Sequence, residues 1–113
     1  MNTQTLQANA RQASRLLKAM SNHHRLLILC QLLGEECCVG ELVRRVGLSQ
    51  SALSQHLARL RRDHLVTTRR SAQTIYYSLA SEEIRSLIET LNRLYRAPAE
   101  GSARVQRLGA AAA

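Results

Sequence analysis

The stretch Leu48-Ser49-Gln50-Ser51-Ala52-Leu53-Ser54-Gln55-His56-Leu57-Ala58-Arg59-Leu60-Arg61-Arg62 decides the fold, because it carries a helix cap, a buried stripe and a polar, basic surface together. Ser49 suits an N-cap, its hydroxyl accepting from an otherwise unpaired amide of the first turn. Leu53, Leu57 and Leu60 then fall on one face at spacings of four and three, which is the stripe of a helix packed inward. Gln50, Ser51, Ser54 and Gln55 lie on the opposite face, and Arg59, Arg61 and Arg62 close the segment. An ordinary amphipathic helix with a solvated polar face has the same periodicity, so the flanking segments must decide between the two readings.

Upstream, Val39 to Val46 is another short amphipathic segment, and Gly47-Leu48-Ser49 is a tight connection whose glycine lets the chain turn between two helices. This predicts a helix-turn-helix. Downstream, Leu65 to Arg70 and Gln73 to Leu79 are rich in Val, Thr, Ile and Tyr and are separated by Ser71-Ala72, so they read as a short β-hairpin. A hairpin directly after such a helix is a wing. The fold class expected is therefore mainly α with a small β-hairpin, a winged helix-turn-helix.

The formal net charge of +8 and a pI near 10.7 point to a polyanionic partner. Between Arg44 and Arg70 lie Arg44, Arg45, Arg59, Arg61, Arg62, Arg69 and Arg70 against Asp63 alone, so the charge coincides with the winged unit. Small polar groups such as Gln and Ser reach base edges, while guanidinium groups fork onto phosphates. The expected partner is double-stranded DNA. No paired carboxylates, no nucleophile beside a base and no glycine-rich phosphate loop is present, so the sequence predicts no enzyme, no cofactor and no metal.

Across the rest of the chain, Thr5 to Met20 places Leu6, Ala10, Ala13, Leu16, Leu17 and Met20 at helical spacing. Ser21-Asn22 breaks that pattern and can cap a second helix from His23 to Leu33, which Gly34 stops, with Glu35 to Cys38 as a connection. After the wing, Ser81 caps a last helix with Glu82 and Glu83 in its first turn and an apolar stripe of Ile84, Leu87, Ile88, Leu91, Leu94 and Tyr95. A 113-residue chain holds one domain with a modest core, so pairing with a second copy is expected. The terminal helices supply the interface, through Leu6, Ala13, Leu17, Leu87, Leu91 and Leu94. Residues 1–96 form the DNA-binding and dimerisation domain in this reading, and 97–113, with Pro98, Gly101, Gly109 and an alanine run, form a flexible tail. No apolar run approaches the roughly 18 residues of a membrane span and no signal pattern opens the chain, which predicts a cytoplasmic protein without a membrane partner. In a reducing cytosol Cys30, Cys37 and Cys38 are buried small residues or reactive thiols rather than a disulfide framework.

The order of elements resembles the ArsR/SmtB family of winged helix-turn-helix regulators, over about Leu16 to Tyr95. Leu-Lys-Ala-Met-Ser-Asn-His-His-Arg-Leu-Leu-Ile-Leu (17–29), Val-Gly-Glu-Leu (39–42) and Leu-Ser-Gln-Ser-Ala-Leu-Ser-Gln-His-Leu-Ala-Arg-Leu-Arg (48–61) carry the resemblance, and the last of these is the most specific. Within the family the chain is most similar to the HlyU/BigR/NolR-like branch. The resemblance implies a homodimer on an inverted-repeat, palindromic operator, with the wing against flanking backbone.

The resemblance also implies sensors against which this chain can be compared. Zinc sensors of the family use His and carboxylate ligands on paired last helices, and Glu82 to Tyr95 has no histidine. Arsenic sensors use a Cys-Val-Cys-x-x-Cys arrangement, of which Cys38-Val39 supplies one thiol. An arsenite- or soft-metal-responsive repressor would need Cys30, Cys37 and Cys38 together. Sulfur sensors pair a cysteine matching Cys30 with one in the last helix, where this chain has Arg96, so that pair cannot form here. Cys38 occupies the N-cap slot before Val39, where helix amides and dipole favour a thiolate. The alternative is three passive, packed cysteines.

The residues assigned to function are then Gln50, Ser51, Ser54 and Gln55 for base reading. His56, Arg59, Arg62, Arg69, Arg70 and Gln73 are assigned to backbone and wing contacts, and Cys30, Cys37 and Cys38 to thiol sensing. The function expected is a homodimeric repressor released by thiol modification, with a repressor lacking any thiol sensing as the other outcome. A sequence-indifferent architectural DNA binder and a protein-interaction domain are competing classes. The clustering of Gln and Ser where base edges would lie argues against both.

Overall fold

The computed structural model describes residues 2–95; Met1, Arg96 and the tail expected over 97–113 lie outside the described residues. Each helix starts where a side chain satisfies its free amides. Asn2 Oδ1 accepts from the Thr5 amide at 2.7 Å and opens α1 (Thr3–Met20). Asn22 Oδ1 accepts from the His24 and Arg25 amides at 2.9 and 3.1 Å and opens α2 (His23–Gly34), which takes in the glycine expected to stop it. The corner between these helices is tied from within by Arg25, the one buried charged residue among those described. Its Nε–H donates to the Ala19 carbonyl at 2.6 Å, satisfying an orphan acceptor at the end of α1.

The chain continues through β1 (Cys37–Cys38), α3 (Val39–Val46), α4 (Gln50–Arg62), β2 (Val66–Ser71), β3 (Thr74–Leu79) and α5 (Glu82–Tyr95). The strands form one antiparallel sheet in the order β1-β3-β2. Two expectations are corrected here. Glu35 to Cys38 is not wholly a connection, because Cys37 and Cys38 pair with Tyr77 and Tyr76 and make the wing three-stranded. A two-residue strand has too few positions to show a period, so only its partner reveals it. The hairpin turn is Ala72-Gln73 rather than Ser71-Ala72, since Ser71 pairs with Thr74; Ala72 takes φ 56° in the first central position of the turn.

The core gathers Ile28, Leu29 and Leu32 of α2, Leu42 of α3, Leu53, Leu57 and Leu60 of α4, Leu65 and Val66 at the wing's root, and Ile84 and Ile88 of α5. The three leucines of α4 are buried essentially completely. Truncating one to Ala in such a setting costs about 2–5 kcal/mol, so the same stripe that shows in the sequence fixes how α4 is presented. The stripe of α5 is divided: Ile84 and Ile88 enter the core, while Leu87 and Leu91 pack partly against it. Arg85 Nη1 donates to the Leu33 carbonyl at 2.9 Å and joins α5 to the end of α2. Among the described residues no helix is long and apolar enough to cross a membrane.

Candidate nucleic-acid interface

Gly47 sits at the C-cap of α3 with φ 79°, the left-handed conformation that a side chain disfavours, and its N–H donates to the Val43 carbonyl at 3.1 Å. The chain thus reverses in two residues and reaches Ser49, whose Oγ accepts from the Ala52 amide at 3.1 Å. That cap sets the phase of α4. With Leu53, Leu57 and Leu60 turned into the core, Gln50, Ser51, Ser54 and Gln55 all stand exposed on the other side, as the sequence predicted for a reading face.

The wing has two faces, and they separate residues that the sequence reading treated alike. Side chains alternate along a strand and directly opposed residues share a face. The register puts buried Val66, Leu79 and Cys37 on the inner face, together with Thr68, Tyr77, Arg70 and Ile75. Tyr77 lines a groove of about 450 Å³ with Ser54, Ala58, Arg61, Arg62 and His64, so the inner face of the wing looks across at the exposed side of α4. Arg70 is exposed at the far end of that face and has no ion-pair partner among the described residues. Gln73 is exposed in the turn.

Arg69 lies on the outer face, opposite Tyr76 and, one strand further, Cys38. Its guanidinium stacks over the Tyr76 ring at 4.6 Å and reaches Glu36 just before β1. Nε–H donates to Oε2 at 2.8 Å and to Oε1 at 3.0 Å, and Nη2 also donates to Oε1. The pair holds the Glu36 carboxyl below its usual range and raises Arg69. Glu36, Tyr76 and Tyr77 were not singled out from sequence. Glu36 stands 33 residues from its partner, and only the sheet register brings the two together.

At the end of α4, Arg59 is half-buried with Nε 3.6 Å from Asp63 Oδ2, and exposed Arg62 lies 3.7 Å from Oδ1. Asp63 therefore shares its charge between two of the arginines assigned to phosphates. His56 is half-buried, its ring 5.9 Å from that of His24. Burial, and then the positive charge of Arg25 and the neighbouring His24, push its pKa down.

The cysteines diverge in the same way. Cys38 is the residue before α3, as expected, but its Sγ–H donates to Glu41 Oε1 at 3.3 Å and the same carboxylate takes the Cys38 amide at 3.2 Å. The sulfur thus faces a carboxylate to which it donates, within a capping box shared with Glu41. Those two bonds hold Glu41 below the usual carboxylate range. Cys37 is fully buried, with Arg45 Nη1 donating to its sulfur at 3.4 Å, and burial pushes its thiol up despite that cation. Cys30 is half-buried in α2 and likewise raised by burial. Among the described residues no three His, Cys, Asp or Glu side chains cluster as metal ligands, so the three thiols are not gathered for a soft metal.

Residues 22–68, which hold α2, β1, α3, α4 and the start of β2, match the family model for the bacterial regulatory protein, arsR family. The transcriptional activator HlyU of Vibrio cholerae is 59% identical over 95 residues, covering 84% of this chain and 88% of that protein. This chain belongs to the ArsR family of transcriptional regulators. It is also similar to the biofilm growth-associated repressor of Agrobacterium fabrum, 38% identical over 84% of this chain and 81% of that one. The crystal structure of HlyU from Vibrio vulnificus superimposes with a TM-score of 0.79 at 56% identity, covering 85% of this chain and all of that one. A homodimeric winged helix-turn-helix DNA-binding domain from Mycobacterium bovis does so at 0.71 and 25% identity, over 88% and 97% of the two chains. This ArsR-family regulator is accordingly a winged helix-turn-helix, DNA-binding protein and not an enzyme.

Proposed function

We propose that this regulator is a cytoplasmic homodimer that represses by occupying an inverted-repeat promoter site, its two α4 helices in successive major grooves about one helical turn apart. The observation that carries the reading is the exposed row Gln50, Ser51, Ser54 and Gln55, held opposite three buried leucines and beside a wing that presents Arg70. Gln and Ser hydrogen-bond base edges, whereas Arg70, Arg61 and Arg62, with half-buried Arg59, neutralise phosphates and make affinity fall with salt. Gln73 touches the flanking backbone from the wing turn, and His56 supports α4 from its flank. Arg69, already paired with Glu36, is left out of this set. A homodimeric relative supports assembly and a repressor relative supports the sign, while HlyU is named as an activator.

Binding by purified protein to its own upstream promoter DNA and to random duplex tests this. Gln50→Ala or Ser54→Ala should lower discrimination between the two by roughly 5–160-fold, each base contact being worth about 1–3 kcal/mol, while Arg70→Ala should weaken both alike. Equal loss of discrimination from both classes of variant refutes the division of labour.

Release is assigned to Cys38, whose backbone pairs with Tyr76 of the wing. Peroxide converts Sγ–H to Sγ–OH with release of water, oxidising the sulfur, replacing the S–H donor to Glu41 by a longer S–O–H one and enlarging the residue at the joint between wing and α3. Promoter binding should fall on peroxide treatment in the wild type and persist in Cys38→Ser. Equal loss in both assigns release elsewhere.

A further inference from the structure

We infer that Glu36 is a positioning residue that withholds Arg69 from DNA, so that one of the two adjacent wing arginines binds phosphate and the other does not. Arg69 and Arg70 are consecutive on β2 and therefore leave the sheet on opposite faces. Arg70 shares its face with Tyr77, which looks onto the groove beside α4. Arg69 points away, crosses β3 over the ring of Tyr76 and ends on Glu36 ahead of β1.

Three features make this more than a passing surface ion pair. The guanidinium uses its fork on both carboxylate oxygens, the planar geometry that suits Arg and not Lys. Its other surface is occupied by the Tyr76 ring, a cation–π contact that fixes the direction of approach. The strands beneath the pair are hydrogen-bonded from β1 through β3 to β2, so the sheet register holds the two backbones where the side chains can meet. A phosphate has to displace a carboxylate already in place and turn the side chain across the strand. The charge is spent within the molecule, and the wing's contribution to sequence-indifferent binding is set by Arg70.

This rests on the DNA contacts proposed above, and two readouts keep the two apart. In the free protein, the Arg69 Nε–H signal in nitrogen-edited NMR should be protected from solvent exchange in the wild type and exposed in Glu36→Gln. An unprotected wild-type signal overturns the clamp with no DNA present. With promoter duplex, the slope of log affinity against log salt counts phosphate contacts, at about 0.9 per contact. Arg69→Ala should leave that slope unchanged, Glu36→Gln should steepen it by about 0.9, and the double variant should return to the wild-type slope. Between 50 and 200 mM salt the Glu36→Gln protein should lose roughly threefold more affinity than the wild type. A slope that flattens in Arg69→Ala alone, or does not move in Glu36→Gln, overturns the inference while leaving the interface on α4 standing. A wild type whose duplex binding is independent of salt overturns both.

Discussion

His64 follows α4 in a conformation that its side chain resists. It takes φ 64°, its N–H donates to the Arg61 carbonyl at 3.1 Å, and the next amide, Leu65, reaches back to the Leu60 carbonyl at 2.9 Å. These two bonds are the Schellman arrangement, and buried Leu60 and Leu65 supply its apolar contact. The position after the cap in that motif is usually glycine, because a Cβ crowds the carbonyl when φ is positive. His64→Gly is therefore expected to stabilise the fold by about 0.5–1 kcal/mol, the relieved strain exceeding the added freedom of the unfolded chain. Urea denaturation followed by circular dichroism measures it, and a variant no more stable than the wild type refutes the strain. The sequence shows a histidine where the left-handed position of the motif favours a glycine. Only the dihedral angle explains what that exchange costs.

At the scale of elements, α4 and its turn were legible because their determinants are local: a glycine, a serine cap and leucines at spacings of three and four. The third strand was not, since Cys37 and Cys38 become a strand only by pairing with Tyr77 and Tyr76 some forty residues on. The exposure of Gln50, Ser51, Ser54 and Gln55 was legible for the reason α4 was. Its limits were not, because the separation of Arg69 from Arg70 and the pairing of Glu36 depend on sheet register. The packing of α4 on α2 makes a further prediction. His56 of α4 is half-buried beside His24, with Arg25 of α2 adding positive charge, and its pKa lies below the ordinary value. The unfolded chain therefore binds a proton that the folded chain resists. That contribution to stability is complete above the unfolded value of about 6.5 and is lost as pH falls through the lower folded value. Glu36 and Glu41, whose carboxyls are also lowered, lose theirs only further toward acid, below about pH 4.5. Thermal melts from pH 7.5 to 5 should show the wild type losing stability faster than His56→Gln over this window. Parallel curves for the two proteins assign the acid response to another group.

For the whole molecule, the question is what covers α1. This helix is 18 residues long, about 27 Å, yet only its last turns, at Leu16, Ala19 and Met20, meet the protomer's core. From Thr3 to Arg15 every residue is exposed, and Leu6 and Leu17 are 59% and 55% exposed. A helix with so little packing is marginal in water, because propagation barely offsets the cost of nucleation. Leu94 is half-buried and Tyr95 exposed at the end of α5, so the two terminal helices offer apolar surface together. In the homodimer proposed above, a second copy of the chain covers both at once through a two-fold contact, in which each α1 meets the same elements of its partner. Leu17 is the place to test this, because its exposure in the protomer means that a charge there leaves the core intact. Leu17→Glu is expected to weaken dimerisation at least tenfold, the usual cost of a charge at the centre of an apolar contact being more than about 1.4 kcal/mol. Sedimentation velocity should show the variant as a monomer at concentrations where the wild type is a dimer, with helical signal lost in proportion to α1. Binding to a full inverted repeat should fall further than binding to a single half-site, since only the former needs both α4 helices at a fixed spacing. A Leu17→Glu protein that remains dimeric with full helical signal shows that α1 is covered by something other than a second copy through this face.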